Sequence, residues 1–332
     1  MSFQKYVVFL QHQYSPSLFT MLKSAGRFFY YYHMKVDFTK TCILPKDLIS
    51  LLKQRGLTIS DEKKAVSYIS HIGYFRLSAY LFPLLKEPKS DHIYKEGATF
   101  TKALDMYRFD RKLRILLFNE IEKIEVAIRS AMNNWITDGL NDVFWMTTAK
   151  YFKNPVIFAK TIDIIHSETG KSKEEFIVHF HNKYSNPYPP AWMISEIIPL
   201  GALYNIFNNL KSKGLKKKVS NSFGLSLPAF TSWMLILSNL RNLCGHHVRV
   251  WNKEVSFVAT VPLQHAFPWI DSSATDLKRI YYRICIIKYL LFTVSPSNTF
   301  TQKLKSLLAE FPTIDIKAMG FPANWYTEPL WQ

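Results

Sequence analysis

Three cysteines among 332 residues, Cys42, Cys244 and Cys285, are too few and too widely spaced for a disulfide framework or a thiolate zinc site. That scarcity fits a reducing compartment, and a cytoplasmic location is expected. No stretch reads as membrane-spanning. The most apolar, Ile280–Val294 and Phe230–Leu240, are short, and Arg283 and Lys288 interrupt the first. Tyr6–Leu10 is too short for a signal-peptide core and has no small-residue cleavage site behind it. Acidic residues are scarce as well: 25 Asp and Glu stand against 42 Lys and Arg, a formal charge of +17. The excess runs through the whole chain, which argues for a polyanion partner, nucleic acid before an anionic membrane surface. A period-two pattern of any length is also absent, so the expected architecture is all-α.

What is present suits a packed core, with 48% hydrophobic and 15% aromatic residues. Residues 1–33 stand apart: they hold no acidic residue and end near the aromatic run Phe28-Phe29-Tyr30-Tyr31-Tyr32. Two readings stand for them, a translated leader ahead of a start at Met34, or an arm that packs on a partner. Residues 34–332 read as one domain. Pro45 and Asp61 open two helices. Thr101 to Asp138 reads as one long helix, because Leu113, Leu117, Ile121, Ile124, Ile128, Ala131 and Trp135 keep a three-four spacing. Arg111, Arg114, Glu122, Glu125 and Arg129 suit its solvated face. Glu125 and Arg129, an i, i+4 pair flanked by apolar residues, also suit a buried seam where a carboxylate orients an arginine or histidine from another helix. Residues 139–190 read as irregular. Ala191–Leu210 reads as a helix kinked at Pro199. It ends in the basic run Lys211, Lys213, Lys216, Lys217 and Lys218, either a solvated loop or a phosphate track. Pro228 opens the next helix, and Thr275–Val294 and Gln302–Glu310 read as the last two.

The densest chemistry lies at Arg241-Asn242-Leu243-Cys244-Gly245-His246-His247-Val248-Arg249-Val250-Trp251-Asn252. A guanidinium stays charged and matches the charge that builds on phosphate oxygens. Imidazole titrates near neutrality, so it can take the proton of a ribose 2′-OH or give one to a leaving 5′-oxygen. Arg241 and His246 are therefore candidates for cutting RNA without a metal, and no cofactor is expected. On a continuous helix Asn242, His246 and Arg249 share a face, while Arg241 lies about 140° away from His246. The two meet only if the backbone turns, least strained at Gly245, or if they act across two copies of the chain.

Several blocks together carry a family resemblance. They are Ile72-Gly73-Tyr74-Phe75-Arg76-Leu77-Ser78-Ala79-Tyr80; Tyr107, Asp110-Arg111 and Leu113-Arg114; Ile124-Glu125-Val126-Ala127-Ile128-Arg129; the Leu240–Asn252 segment; and Gly320-Phe321-Pro322-Ala323-Asn324-Trp325. In this order they resemble the Abi-like abortive-infection proteins of the AbiD/AbiF type, over roughly residues 40–330. The resemblance implies a HEPN-like helical bundle with additional helices, and a metal-independent endoribonuclease toxin of anti-phage defence. It maps the HEPN arginine to Arg241, the polar residue after it to Asn242, and the histidine to His246, with His247 also within the spacing. Glu125, Arg129, Arg249 and Asn252 become supporting residues. Arg111, Arg114 and the five lysines become RNA contacts. One motif copy per chain implies a homodimer, and a small structured non-coding RNA is a further implied partner. A non-catalytic RNA-binding module and a defence factor aimed at a protein are the competing classes.

Overall fold

The computed structural model describes residue 37, residues 41–255 and residues 257–332; residues 1–33, leader or arm above, lie outside the described residues. Twelve α-helices and no strand are found among the described residues. In chain order they are α1 (Pro45–Gln54), α2 (Glu62–Ile72), α3 (Tyr74–Leu81), α4 (Phe100–Leu140), α5 (Pro155–Lys171), α6 (Glu175–Lys183), α7 (Ala191–Ile197), α8 (Leu200–Asn209), α9 (Lys213–Ser222), α10 (Leu227–Gly245), α11 (Ile280–Val294) and α12 (Phe300–Glu310).

The fold is organised along α4. Thr99 caps it by accepting from the Lys102 N–H at 3.1 Å, and Asn141 ends it with a left-handed φ of 47°. Its 41 residues make a rod about 60 Å long. Leu113, Leu117, Ile121, Ile124 and Ile128 are fully buried, as the spacing predicts. Beyond them the buried stripe runs through Met132 and Ile136, not Ala131 and Trp135, because four-residue steps from Ile128 carry it there. Helices α3, α7, α9, α10, α11 and α12 all pack on this rod. The most enclosed of them is α11, apolar on every side, with even Arg283 and Lys288 buried. Arg283 donates to the carbonyl of Phe257 at 3.1 Å, and burial lowers its pKa to about 10.

Three expectations need correction. Residues 139–190 are not irregular, since α5 and α6 lie within them. The Asn154 side chain caps α5, with Pro155 at its first position. Two of its three buried residues are Thr161 and Thr169, so an apolar count passes over it. At Pro199 the chain breaks instead of kinking: Ile198, just before the proline, is extended with ψ 147°. Finally, α11 begins at Ile280 rather than Thr275, because Asp276 folds back to accept from the Lys278 N–H at 2.9 Å and Arg279 is extended.

Candidate functional site

Helix α10 delivers Arg241, runs on through Gly245, and is then stopped by a Schellman cap. The His247 N–H donates to the Cys244 carbonyl at 3.1 Å and the Val248 N–H to the Leu243 carbonyl at 2.9 Å. His247 takes the left-handed position of this cap, φ 57°, where glycine is the usual occupant. The turn therefore falls at His247 and not at Gly245, which stays helical. Because the helix ends there, Arg249 and Asn252 do not continue its face.

Arg241 sits on α4. Its guanidinium lies over the Phe118 ring, 5.8 Å from the centroid, and its Nε is 3.7 Å from Glu125 Oε2. That separation is an ion pair but too long for a hydrogen bond, and the Nε has no hydrogen-bond partner. Glu125 is shared. Its other oxygen is ion-paired with Arg129, which is buried and also donates to the Ile198 carbonyl at 3.1 Å. The seam between α4 and α10 thus holds one carboxylate between two guanidiniums.

A cleft of about 670 Å³ opens beside the seam, bordered by Arg111, Phe118, Asn119, Glu122 and His247. A smaller hollow of about 160 Å³ continues from Phe118 and Glu122 to Glu125 and Arg241. Of the two candidate histidines, His247 borders the cleft. His246 and Asn242, four residues apart, are exposed on an adjoining surface. Cys244 also borders the cleft, and burial pushes its thiol up to about 12, so it stays protonated.

The segment behind the histidines is fastened to α3 and α4. Arg76 donates to the His247 carbonyl at 2.7 Å, and Arg249 to the Ala79 carbonyl at 2.9 Å. The Val250 and Trp251 N–H groups donate to Asp110 Oδ1 at 3.0 and 2.6 Å. The Tyr80 hydroxyl donates to Asp110 Oδ2 at 2.6 Å, and Arg114 is ion-paired with the same oxygen. Burial raises the Asp110 pKa, opposed by Arg114 and these donors. Both its oxygens act only as acceptors here, which suits the carboxylate form. Asn252, left-handed at φ 47°, accepts from Arg279 at 3.1 Å. Arg249, Arg114 and Asn252 are thus engaged inside the protein, whereas Arg111 is exposed with no ion pair among the described residues. Sequence reasoning missed Asp110 as a site determinant. Its only signal was its place one residue before Arg111 in a recognised block.

From Lys213 on the basic run is helical, not a loop, and Lys211 precedes the helix. Lys216 is buried, donating to the Asn208 carbonyl at 3.0 Å over the Phe207 ring, and burial lowers its pKa to about 8. Lys211 donates to the Lys150 carbonyl at 2.8 Å, while Lys213, Lys217 and Lys218 are exposed. Lys218 lies over the Trp135 ring. Trp135 is about 25 Å along α4 from Phe118, so this helix is not beside the histidines.

No helix among the described residues is long and apolar enough to cross a membrane. Residues 67–252 match the model of a family described as Abi-like protein. No curated protein and no solved structure matches the chain.

Proposed function

The chain belongs to the Abi-like protein family, associated with abortive-infection defence, and from that premise we propose that it is a HEPN-like, metal-independent endoribonuclease. The observation that carries this reading is the placement of Arg241 and His247 on two adjoining hollows that share Phe118 and Glu122, one group permanently cationic and the other able to move a proton. His247 takes the 2′-OH proton as the 2′-oxygen attacks phosphorus. Arg241, steered by Glu125, meets the charge growing on the phosphate oxygens. The bond from phosphorus to the 5′-oxygen breaks, and a second histidine protonates the departing oxygen. The products are a 2′,3′-cyclic phosphate and a 5′-hydroxyl.

With one motif per chain, the second histidine comes from a second copy across a twofold axis. Support for such a homodimer comes from α4, where Ile115 and Val126, 56% and 54% exposed, leave apolar surface flanking the cleft. His246 and Asn242 are exposed but border neither hollow. The +17 charge supports RNA as substrate and a small structured RNA as additional partner. Of the expected RNA contacts, Arg111, Lys213, Lys217 and Lys218 are exposed and make no side-chain hydrogen bond or ion pair among the described residues.

A denaturing gel of total RNA incubated with the purified protein in EDTA tests the proposal, run beside a native binding gel. Cleavage that disappears in Arg241→Ala and His247→Ala supports it. Retention of RNA without cleavage would assign a binding module instead, and neither would point to a protein target.

A further inference from the structure

Glu122 is an odd residue to find in a cleft meant for a polyanion. It is exposed, borders both hollows, and has no ion pair or hydrogen-bond partner among the described residues, although the cations Arg111 and Arg241 border the same hollows. A free carboxylate repels phosphate and accepts hydrogen bonds only. What it suits is an N–H donor. On the same outer face of α4, one turn earlier, Phe118 offers a partly exposed ring, 38% accessible, and Asn119 an amide whose oxygen is unengaged. An aromatic face with a carboxylate and an amide at its edge is how proteins hold an unstacked base of single-stranded RNA.

We propose that this cleft is a nucleobase pocket and that its occupant is guanine. Among the four RNA bases only guanine presents two adjacent donors, the ring N1–H and the exocyclic amine, on its Watson–Crick edge. Together they match a carboxylate in the bidentate manner that makes charge-assisted pairs strong. Adenine and cytosine present one donor beside an acceptor, which would face a carboxylate oxygen unfavourably. Uracil presents a single N–H between two carbonyls. The base would stack against the exposed part of the Phe118 ring, which the Arg241 guanidinium also contacts, with Glu122 accepting from its edge and Asn119 meeting the guanine carbonyl or a neighbouring group through its amide. Arg111, at the far end of the cleft, takes a flanking phosphate. The pocket lies beside His247, so a base held there would fix which phosphate meets the imidazole.

This deepens the ribonuclease reading and rests on it for the cleavage arm alone. The test uses the full-length protein and two readouts. Calorimetric titration with 3′-GMP, 3′-AMP, 3′-CMP and 3′-UMP should show 3′-GMP binding at least tenfold tighter than the others. Glu122→Gln should erase most of that margin, because an amide cannot accept at both positions. Mapped cleavage of a mixed-sequence RNA should fall next to guanines in the wild type and spread in Glu122→Gln. Equal binding of all four nucleotides overturns the proposal, even if RNA is cut. Preferential 3′-GMP binding without RNA cleavage keeps the pocket and refutes the nuclease reading. Weakened self-association of Glu122→Gln in sedimentation, with nucleotide preference intact, would assign the carboxylate to a second copy and overturn the proposal too.

Discussion

Asp110 and Trp251 lie 141 positions apart, yet the Trp251 backbone N–H donates to the Asp110 carboxylate at 2.6 Å. Through that one buried side chain, α4 determines the path of the chain just after the histidines. Asp110→Ala would leave Arg114 charged without its partner and orphan two buried N–H groups. A loss of about 3–5 kcal/mol is expected, read by urea unfolding. Tyr80→Phe removes only one of the four donors and should cost about 1 kcal/mol. Equal losses for the two variants would show that the carboxylate is not the hub.

The left-handed His247 gives an opposing pair of effects. Glycine takes this backbone position without a Cβ penalty, so His247→Gly should raise unfolding stability by about 1 kcal/mol. The same change should cut RNA cleavage by about 10²-fold or more, since the proton carrier is gone. His246→Ala, altering an exposed side chain away from the cleft, should keep cleavage within about tenfold. Single-turnover assays and urea titrations on the same preparations compare the two. A more stable and fully active His247→Gly would remove His247 from the mechanism.

Glu125 stands between Arg129 and Arg241. Glu125→Ala leaves the buried Arg129 without its carboxylate, and about 3 kcal/mol of stability should be lost. In Glu125→Gln the shape remains while the charge that steers Arg241 goes. There the turnover number should fall about tenfold or more with KM nearly unchanged, as expected for a guanidinium acting mainly in the transition state.

The seam and the long helix were legible in the sequence, and the turn was not. Periodicity found α4 because its buried positions are aliphatic and evenly spaced, and it flagged Glu125 and Arg129 because charged residues interrupted that run. It failed at α5, whose inward threonines satisfy their hydroxyls on their own helix, Thr161 on the Ile157 carbonyl and Thr169 on that of Ile165. It also directed attention to Gly245, since glycine is the cheapest residue to bend. The bend falls two residues later because contacts distant in sequence, from Arg76 and Asp110, hold the chain there. Lys216 read as one of five equivalent cations, because a string of lysines gives no sign of which one a neighbouring helix covers.

That covered lysine predicts a pH response. Its folded pKa, about 8, lies below the ordinary lysine value of 10.5. Between those values the unfolded chain binds more protons than the folded one, so this residue's contribution makes stability rise as pH increases from about 8 to about 10.5. Below about 8 the burial penalty is fully present. Lys216→Met should therefore melt at a higher temperature than the wild type at pH 7, with the gap narrowing across that window. A gap independent of pH would mean that the ammonium is fully solvated.

The proposed dimer has its own check. Ile115→Glu with Val126→Glu places two charges on exposed positions of α4, so melting of the monomer should barely move. Sedimentation should shift from dimer to monomer, and cleavage should drop in proportion to the dimer lost. A wild type that sediments as an active monomer would refute the composite site.

The capped end of α10 also sets the tempo at this surface. The amides of His246, His247, Val248, Val250 and Trp251 all donate within the protein, and the His247 carbonyl is held by Arg76. With the main chain tied at so many points, the side-chain torsions of His247 are the principal freedom left, and exposed rotamers exchange in picoseconds to nanoseconds. The imidazole samples its orientations far faster than a typical enzyme turns over, on a support that moves only by local unfolding. Hydrogen exchange should find these amides among the slow ones, directly beneath a solvent-exposed imidazole.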